Sequence, residues 1–378
     1  MAATYAIDTR WVEYPATGGT KTYIESLAKA LLAIDQEDKF HFWGSPLEVG
    51  STNSHVDPFG GWYRRAWQLS WKTFGTPPLD WMRPKPDVWH FTNYVAPPTK
   101  RPFVVTVHDL TFIEHPDYVE PKNLDYLTKF VPETLRAASK ILAVSEFTAE
   151  AIAEHFPREK EKIITTPLGC EERFFEQSTR EDISLAKDTY SIDGEYLLSV
   201  GTLEPRKNLR TLLLAFAAIR RHTTEQLVVV GNQGWLFDET QQLLEKLGLG
   251  SRVILTGAVS DRDLRALYAG AKAFVFPSHY EGFGIPVLEA MAAGAPVLAS
   301  SAASLPEVGG GSALYFDPED TEALGNALRR LLEDAPLRQR LSSAGRERAK
   351  QFTWRETAEK TLRAYRAAGP EGNDDRRR

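Results

Sequence analysis

Residues 273–294 read A-F-V-F-P-S-H-Y-E-G-F-G-I-P-V-L-E-A-M-A-A-G. The run at 273–276 is short and apolar, as a buried parallel strand is. Gly282 and Gly284 then make a turn, Pro286 suits the first position of a helix, and Gly294 ends that helix. A strand, a glycine loop and a helix start aim free backbone N–H groups and the positive end of a helix dipole at one spot, which favours a bound anion. Glu281 stands just before the turn. Glu289 follows in the helix, on the face that can look back toward the loop. Glycine N–H groups suit a phosphate and carboxylates suit hydroxyls, so the stretch suggests a sugar joined to a phosphate. The plainer alternative makes Glu281 a turn cap and Glu289 a solvated helix residue.

Outward from this stretch, strand-like runs alternate with helical patterns along the whole chain. Strands are expected at 4–7, 87–91, 103–107, 141–144 and 163–168, then at 196–200, 227–230, 253–255 and 297–299. That alternation is the pattern of parallel sheets covered by helices, an α/β protein. The polar segment 169–191 separates the two sets, so the domain boundary is expected there, giving domains 1–170 and 171–352. Helices are expected at 20–34, 321–333 and 336–349, and from Trp354 to about 367 with Thr353 as N-cap. A charged tail at 368–378 is expected to be disordered.

The bulk numbers narrow the class. The chain has 378 residues, 42% hydrophobic and 25% charged, with a net charge of −6. That is long enough for two domains and ordinary for a globular protein. It does not read as a nucleic-acid binder. Cys170 is the only cysteine, which fits a reducing compartment. No leader sequence is expected, because residues 1–8 run straight into a strand. No apolar run reaches the roughly 20 residues of a membrane span. A cytoplasmic protein is expected.

Further candidate residues lie at strand ends, where ligands of open α/β sheets gather. Residues 201–209 read G-T-L-E-P-R-K-N-L, placing Arg206 and Lys207 just before a helix. Cations there are unfavourable unless an anion joins them, and the two can neutralise a diphosphate. Val107, His108 and Asp109 close the strand at 103–107. Gly18 and Gly19 are placed in the loop after the first strand, where backbone can approach a ligand, but they are not G-x-G-x-x-G, which disfavours a nicotinamide dehydrogenase. Asp261-Arg262-Asp263 spells D-x-D at a helix start and is read as capping rather than a metal site. Residues 62–74, W-Y-R-R-A-W-Q-L-S-W-K-T-F, carry aromatics at helical spacing with basic neighbours. Such a helix either lies at a membrane interface or packs in the core. Residues 304–311 are expected to form a mobile loop near the nucleotide.

The segments V-H-D, G-T-L-E-P-R-K-N-L and E-G-F-G-I-P-V-L-E, in this order along the chain, resemble the retaining GT-B glycosyltransferases of the family 4 type, in the bacterial mannosyltransferase branch. The resemblance covers nearly the whole chain. It implies two Rossmann-like domains facing across a cleft, the N-terminal one for the acceptor and the C-terminal one for a nucleotide sugar. The last helix, 353–367, would return to the first domain. It implies that Arg206 and Lys207 bind the donor diphosphate, that Glu281 holds sugar hydroxyls and that Glu289 holds the ribose. Gly282, Phe283, Gly284 and Ile285 would supply the loop. Val259 would line the base with backbone, and Gly18 and Gly19 would lie by the donor phosphates or the acceptor. His108 would face the transferred hexose, with Asp109 supporting it or the acceptor. The implied donor is GDP-mannose and the acceptor a glycan or lipid-linked hydroxyl, with no cofactor and no metal. A UDP-sugar donor stays open, as do a nucleotide-sugar epimerase and a binding pseudoenzyme. A membrane-surface scaffold using residues 62–74 stays open as well.

Overall fold

The computed structural model describes residues 2–13, 18–47, 53–58, 61–234 and 237–369, with the backbone alone at 58, 61–65, 237 and 238. Two compact units emerge: Met1–Gly169 together with Thr353–Arg378, and Cys170–Phe352. From 370 onward the tail lies outside the described residues.

The first unit carries seven strands: β1 (Thr4–Asp8), β2 (Lys39–Gly44), β3 (Ser54–Pro58), β4 (Val88–Phe91), β5 (Phe103–Val107), β6 (Lys140–Ala143) and β7 (Ile163–Thr165). Their order is β3-β2-β1-β4-β5-β6-β7, and every pairing is parallel. The second unit carries β8 (Tyr196–Val200), β9 (Gln226–Val230), β10 (Val253–Gly257), β11 (Ala273–Phe276), β12 (Val297–Ser300) and β13 (Ala313–Phe316), in the order β10-β9-β8-β11-β12-β13, again all parallel. Each sheet therefore reverses its winding once, between β1 and β4 and between β8 and β11. Crevices open at such switch points, outside the carboxyl ends of the strands.

The central strands explain why the sequence pattern is continuous rather than alternating. Every residue of β5, β9 and β11 is buried, since helices cover both faces. In the first unit Trp43, Trp89, Phe91 and Val105 join one core with Trp67 and Trp71. In the second, Leu212, Phe216, Leu298 and Leu328 join another.

The helix Trp354–Ala368 packs within the first unit. Tyr365 is buried with its ring 4.8 Å from that of Tyr5, and its hydroxyl is hydrogen-bonded to His90 Nδ1 at 2.7 Å. Thr357 Oγ1 donates to the carbonyl of Pro167 at 2.6 Å. Gly169 is required where the chain meets this helix, because a Cβ there would stand 2.2 Å from the backbone nitrogen of Trp354.

Two expectations are corrected. Gly18 and Gly19 open the helix Gly18–Ile34 instead of lying in the preceding loop. The first turn leaves its N–H groups without helical partners, so glycine is tolerated there. Residues 304–311 are no mobile loop. They form the helix Leu305–Gly309 and a 3-10 turn, Gly310–Ser312, with Leu305 and Val308 buried and Arg348 donating to the carbonyls of Glu307 and Val308.

The aromatic stripe at 62–74 is divided. Its helix is Gly61–Phe74, with Trp67 and Trp71 in the core and Leu69 and Phe74 exposed at 69% and 76%. Lys72 lies over the Tyr126 ring, 4.2 Å from its centroid. The side chains of Trp62, Tyr63, Arg64 and Arg65 lie outside the described residues. Among the described residues no helix is long and apolar enough to cross a membrane.

Candidate active site

At the switch point of the second sheet, the segments following β8 and β11 meet. The 3-10 turn Pro205–Lys207 ends at Asn208, which adopts a left-handed φ of 53°. Its buried side-chain amide donates to the carbonyls of Pro277 at 3.1 Å and Pro318 at 2.9 Å. Asn tolerates this backbone better than most residues because its short polar side chain finds local partners. The turn is thereby tied to the chain leaving β11, and His279 N donates to Arg206 O at 2.9 Å from the other side.

This places three charged groups together. Lys207 Nζ lies 2.6 Å from Glu281 Oε1, and the Arg206 guanidinium lies 2.8 Å from Oε2. Arg206 also pairs with Glu204 at 2.8 Å and donates to the carbonyl of Tyr280 at 2.7 Å. Burial alone would raise the Glu281 carboxyl, but Arg206 and Lys207 outweigh it and hold it down at about 2. Lys207 is lowered by burial against the pull of Glu281, so the charged pair is paid for by mutual proximity. The Lys207 ammonium has three donors and uses one on Glu281.

The glycine loop follows. Gly284 has φ 99°, a left-handed conformation that glycine accepts without strain, and it begins the helix Ile285–Ala293. Phe283 is buried edge-on against Phe352, centroids 5.7 Å apart. Ser304 Oγ donates to the carbonyl of Glu281 at 2.8 Å, fixing the backbone before the turn. Gly282 is buried and Ile285 half-buried. Gly294 ends the helix at φ 87°.

Glu289 is also buried, but it does not join the Glu281 cluster. Tyr268 donates its hydroxyl to Glu289 Oε2 at 3.0 Å. Burial pushes this carboxyl up to about 8, with the Tyr268 hydrogen bond acting in the opposite direction. The two glutamates thus sit in opposite electrostatic settings, one kept ionised and one held largely protonated at neutral pH. Val259 follows β10, half-buried, just before Ser260. Ser260 Oγ caps the helix Asp261–Gly270 by accepting from Asp263 N at 3.1 Å. Asp261 pairs with Arg173, Arg262 with Asp182 at 2.7 Å, and Asp263 accepts from Tyr190, so the D-x-D residues are occupied within the protein. Among the described residues no group of three or more His, Cys, Asp or Glu side chains is placed to hold a metal ion.

In the first unit His108 follows β5. Its Nε2–H donates to the carbonyl of Thr92 at 2.9 Å, so Nδ1 is the acceptor of the neutral ring. Burial lowers its pKa, and the Thr92 carbonyl opposes that shift. Tyr23 and Tyr94 meet the ring edge-on, with centroids at 5.1 and 5.7 Å. Asp109 Oδ1 accepts from Thr111 N at 2.9 Å, which shapes the turn after His108. Gly18 and Gly19 offer open space, with nothing within 4 Å of an added Cβ.

Sequence reasoning passed over Tyr268 and Thr92, and placed Ser304 only in a loop expected to be mobile. Only Asn208 carried a signal, since it stood inside the quoted G-T-L-E-P-R-K-N-L. Arg10 was passed over as well. It forms a buried bidentate pair with Asp8 at 2.8 and 2.6 Å, with its guanidinium over Trp43.

Residues 185–348 match the family model described as glycosyl transferases group 1, and residues 17–173 match the one described as Glycosyltransferase Family 4. O-antigen chain mannosyltransferase B of Escherichia coli is 36% identical over 281 residues, which is 74% of this chain and 74% of that protein. Serotype-specific mannosyltransferase WbdA of Escherichia coli is 33% identical over 234 residues, 60% of this chain. That match spans only 29% of the longer WbdA. The crystal structure of Anabaena HepE in complex with UDP and glucose superposes with a TM-score of 0.74 at 19% identity, over 96% of this chain and 100% of that one. This last likeness is one of fold.

Proposed function

This chain belongs to the glycosyltransferases, group 1 in its C-terminal half and family 4 in its N-terminal half, and from that membership we propose that it moves mannose from GDP-mannose to a hydroxyl of a glycan or lipid-linked acceptor. The observation that carries the chemistry is the Arg206–Lys207–Glu281 cluster at the carboxyl ends of β8 and β11. The likeness to O-antigen chain mannosyltransferase B supports mannose as the sugar and a role in cell-surface polysaccharide synthesis; a cytoplasmic location is part of the same proposal. The Anabaena structure with UDP and glucose makes a nucleotide-sugar donor the natural ligand class, and UDP-glucose the competing donor.

The reaction breaks the bond between C1 of the sugar and the diphosphate and forms one between C1 and the acceptor oxygen. In the proposed course both events occur on the same face, so the anomeric configuration is retained. The acceptor proton passes to the departing phosphate oxygen. Charge then accumulates on the diphosphate, where Arg206 and the two remaining N–H donors of Lys207 meet it together with the loop N–H groups of Gly282 to Ile285. Glu281, ionised between the cations, accepts from sugar hydroxyls. Glu289 takes the ribose, and Val259 borders the base. In the first unit, which takes the acceptor, His108 offers Nδ1 to a sugar hydroxyl and Asp109 holds its turn. The cation pair makes a divalent metal unnecessary. Exposed Leu69 and Phe74 extend the reading to a peripheral membrane contact, which vesicle flotation without donor would test.

The deciding experiment is a thermal-shift screen of GDP, UDP and ADP in EDTA, followed by transfer from GDP-mannose under the same conditions. GDP should raise the melting temperature by about 2 °C or more at saturating ligand, and transfer should proceed. A shift with UDP alone replaces the donor. Binding without transfer favours a pseudoenzyme or an epimerase. Transfer lost in EDTA and restored by a divalent cation refutes the metal-free course.

A further inference from the structure

Tyr268 lies on the helix Asp261–Gly270 and is fully buried. Phe174 and Phe274 meet its ring edge-on, with centroids 5.9 and 5.4 Å away. Such paired contacts fix the ring, and with it the direction of the hydroxyl. That hydroxyl donates to Glu289 Oε2 at 3.0 Å. A buried carboxyl needs a donor, and among the described residues Tyr268 is the one that reaches it. Arg173, the nearby cation, is engaged by Glu171 and Asp261 instead. The orientation of Glu289 therefore depends on a residue 21 positions away on another helix.

We propose that Tyr268 is a positioning residue for nucleotide recognition, holding Glu289 by one oxygen so that its remaining lone pairs accept the cis-diol of a ribose. The inference rests on the nucleotide-sugar reading above. It has a consequence in pH. Hydroxyl groups donate best to an ionised carboxylate, and burial places Glu289 at about 8. Nucleotide affinity then rises with pH through that region. A phenol donating to the carboxylate favours its ionised form, so removing the phenol moves the midpoint upward.

The test is calorimetric titration of the full chain with GDP and with UDP between pH 6.5 and 9.5, for wild type and Tyr268→Phe. The variant should bind the nucleotide about tenfold more weakly at pH 7.5, the equivalent of one lost hydrogen bond to a charged group. Its pH midpoint should lie higher. In transfer assays the donor KM should rise while kcat at saturating donor changes less than about twofold. An unchanged dissociation constant and midpoint in folded Tyr268→Phe overturns the inference. Should that variant not fold, Glu289→Gln decides: the midpoint near 8 should vanish, and its persistence overturns the inference. If both fold, Tyr268→Phe added to Glu289→Gln should cost less than about twofold more, and a second full tenfold loss overturns it. Failure of the wild type to bind either nucleotide refutes the nucleotide reading itself, a result distinct from all of these.

Discussion

Lys207 and His90 show how burial turns single residues into sensitive reporters. Lys207→Ala removes one of the two cations that the proposed mechanism sets against the diphosphate and leaves Glu281 with Arg206 alone. Transfer should fall about 10²- to 10³-fold in a protein whose circular dichroism matches wild type, since one preorganised charge at a leaving group is worth that much. Near-normal turnover in the folded variant would sink the mechanism. His90 is held between Tyr365 and Thr106, each at 2.7 Å. Burial, with a smaller push from His108, drops its pKa to about 3. The unfolded chain, with histidine near 6.5, therefore binds more protons between pH 6.5 and 3, and stability falls as pH falls through that window. The slope from this one residue approaches about 1.4 kcal/mol per pH unit. Urea unfolding between pH 6 and 4 should show a shallower slope in His90→Gln. An identical slope would mean that His90 titrates normally. Glu281 acts lower: its depressed pKa of about 2 protects the fold above the ordinary carboxylate range and is lost as pH falls below about 4.

The glycine loop and the turn after β8 are the elements on which these residues depend. Gly284 begins its helix at φ 99°, and a Cβ there would lie 2.6 Å from Leu305 Cδ2. The side chain of Leu305 can yield, but the backbone angle cannot be relieved. Gly284→Ala should cost about 1–3 kcal/mol by urea unfolding and lower transfer, because the loop N–H groups shift. A variant with wild-type stability would show that the loop relaxes. Legibility in sequence follows the same lines. β5, β8 and β11 stand where their apolar runs place them, because strands buried on both faces need continuous hydrophobicity. β2, β3 and β13 were not anticipated. β2 mixes Lys39 and His41 with its aromatics, β3 reads S-H-V-D-P, and neither has the continuous run of a central strand. At residues 304–311 three consecutive glycines suggested mobility, but Arg348 supplies hydrogen bonds from a distant helix that local composition could not announce.

At the scale of the molecule, the chain leaves its first unit at Gly169 and returns to it at Thr353. The returning helix completes that unit's polar core, so a chain ended at Phe352 should lose one of the two partners of His90 and the Arg366 ion pair with Asp35. We expect such a truncation to lower the first unit's melting temperature or to leave the protein insoluble. A truncated chain melting like the full one would show the helix to be dispensable. What the sequence determined by itself was the α/β class with parallel sheets, the positions of its central strands and the family, because hydrophobic runs, glycine turns and short motifs are local properties that can be read one segment at a time. The tertiary structure alone decided that Glu281 clamps Lys207 from 74 residues away and Arg206 beside it, that Tyr268 rather than a loop atom holds Glu289, and that Trp67 and Trp71 are core while Phe74 is not. Those outcomes depend on which side chains share a low-dielectric space, and only the packing of distant segments sets that.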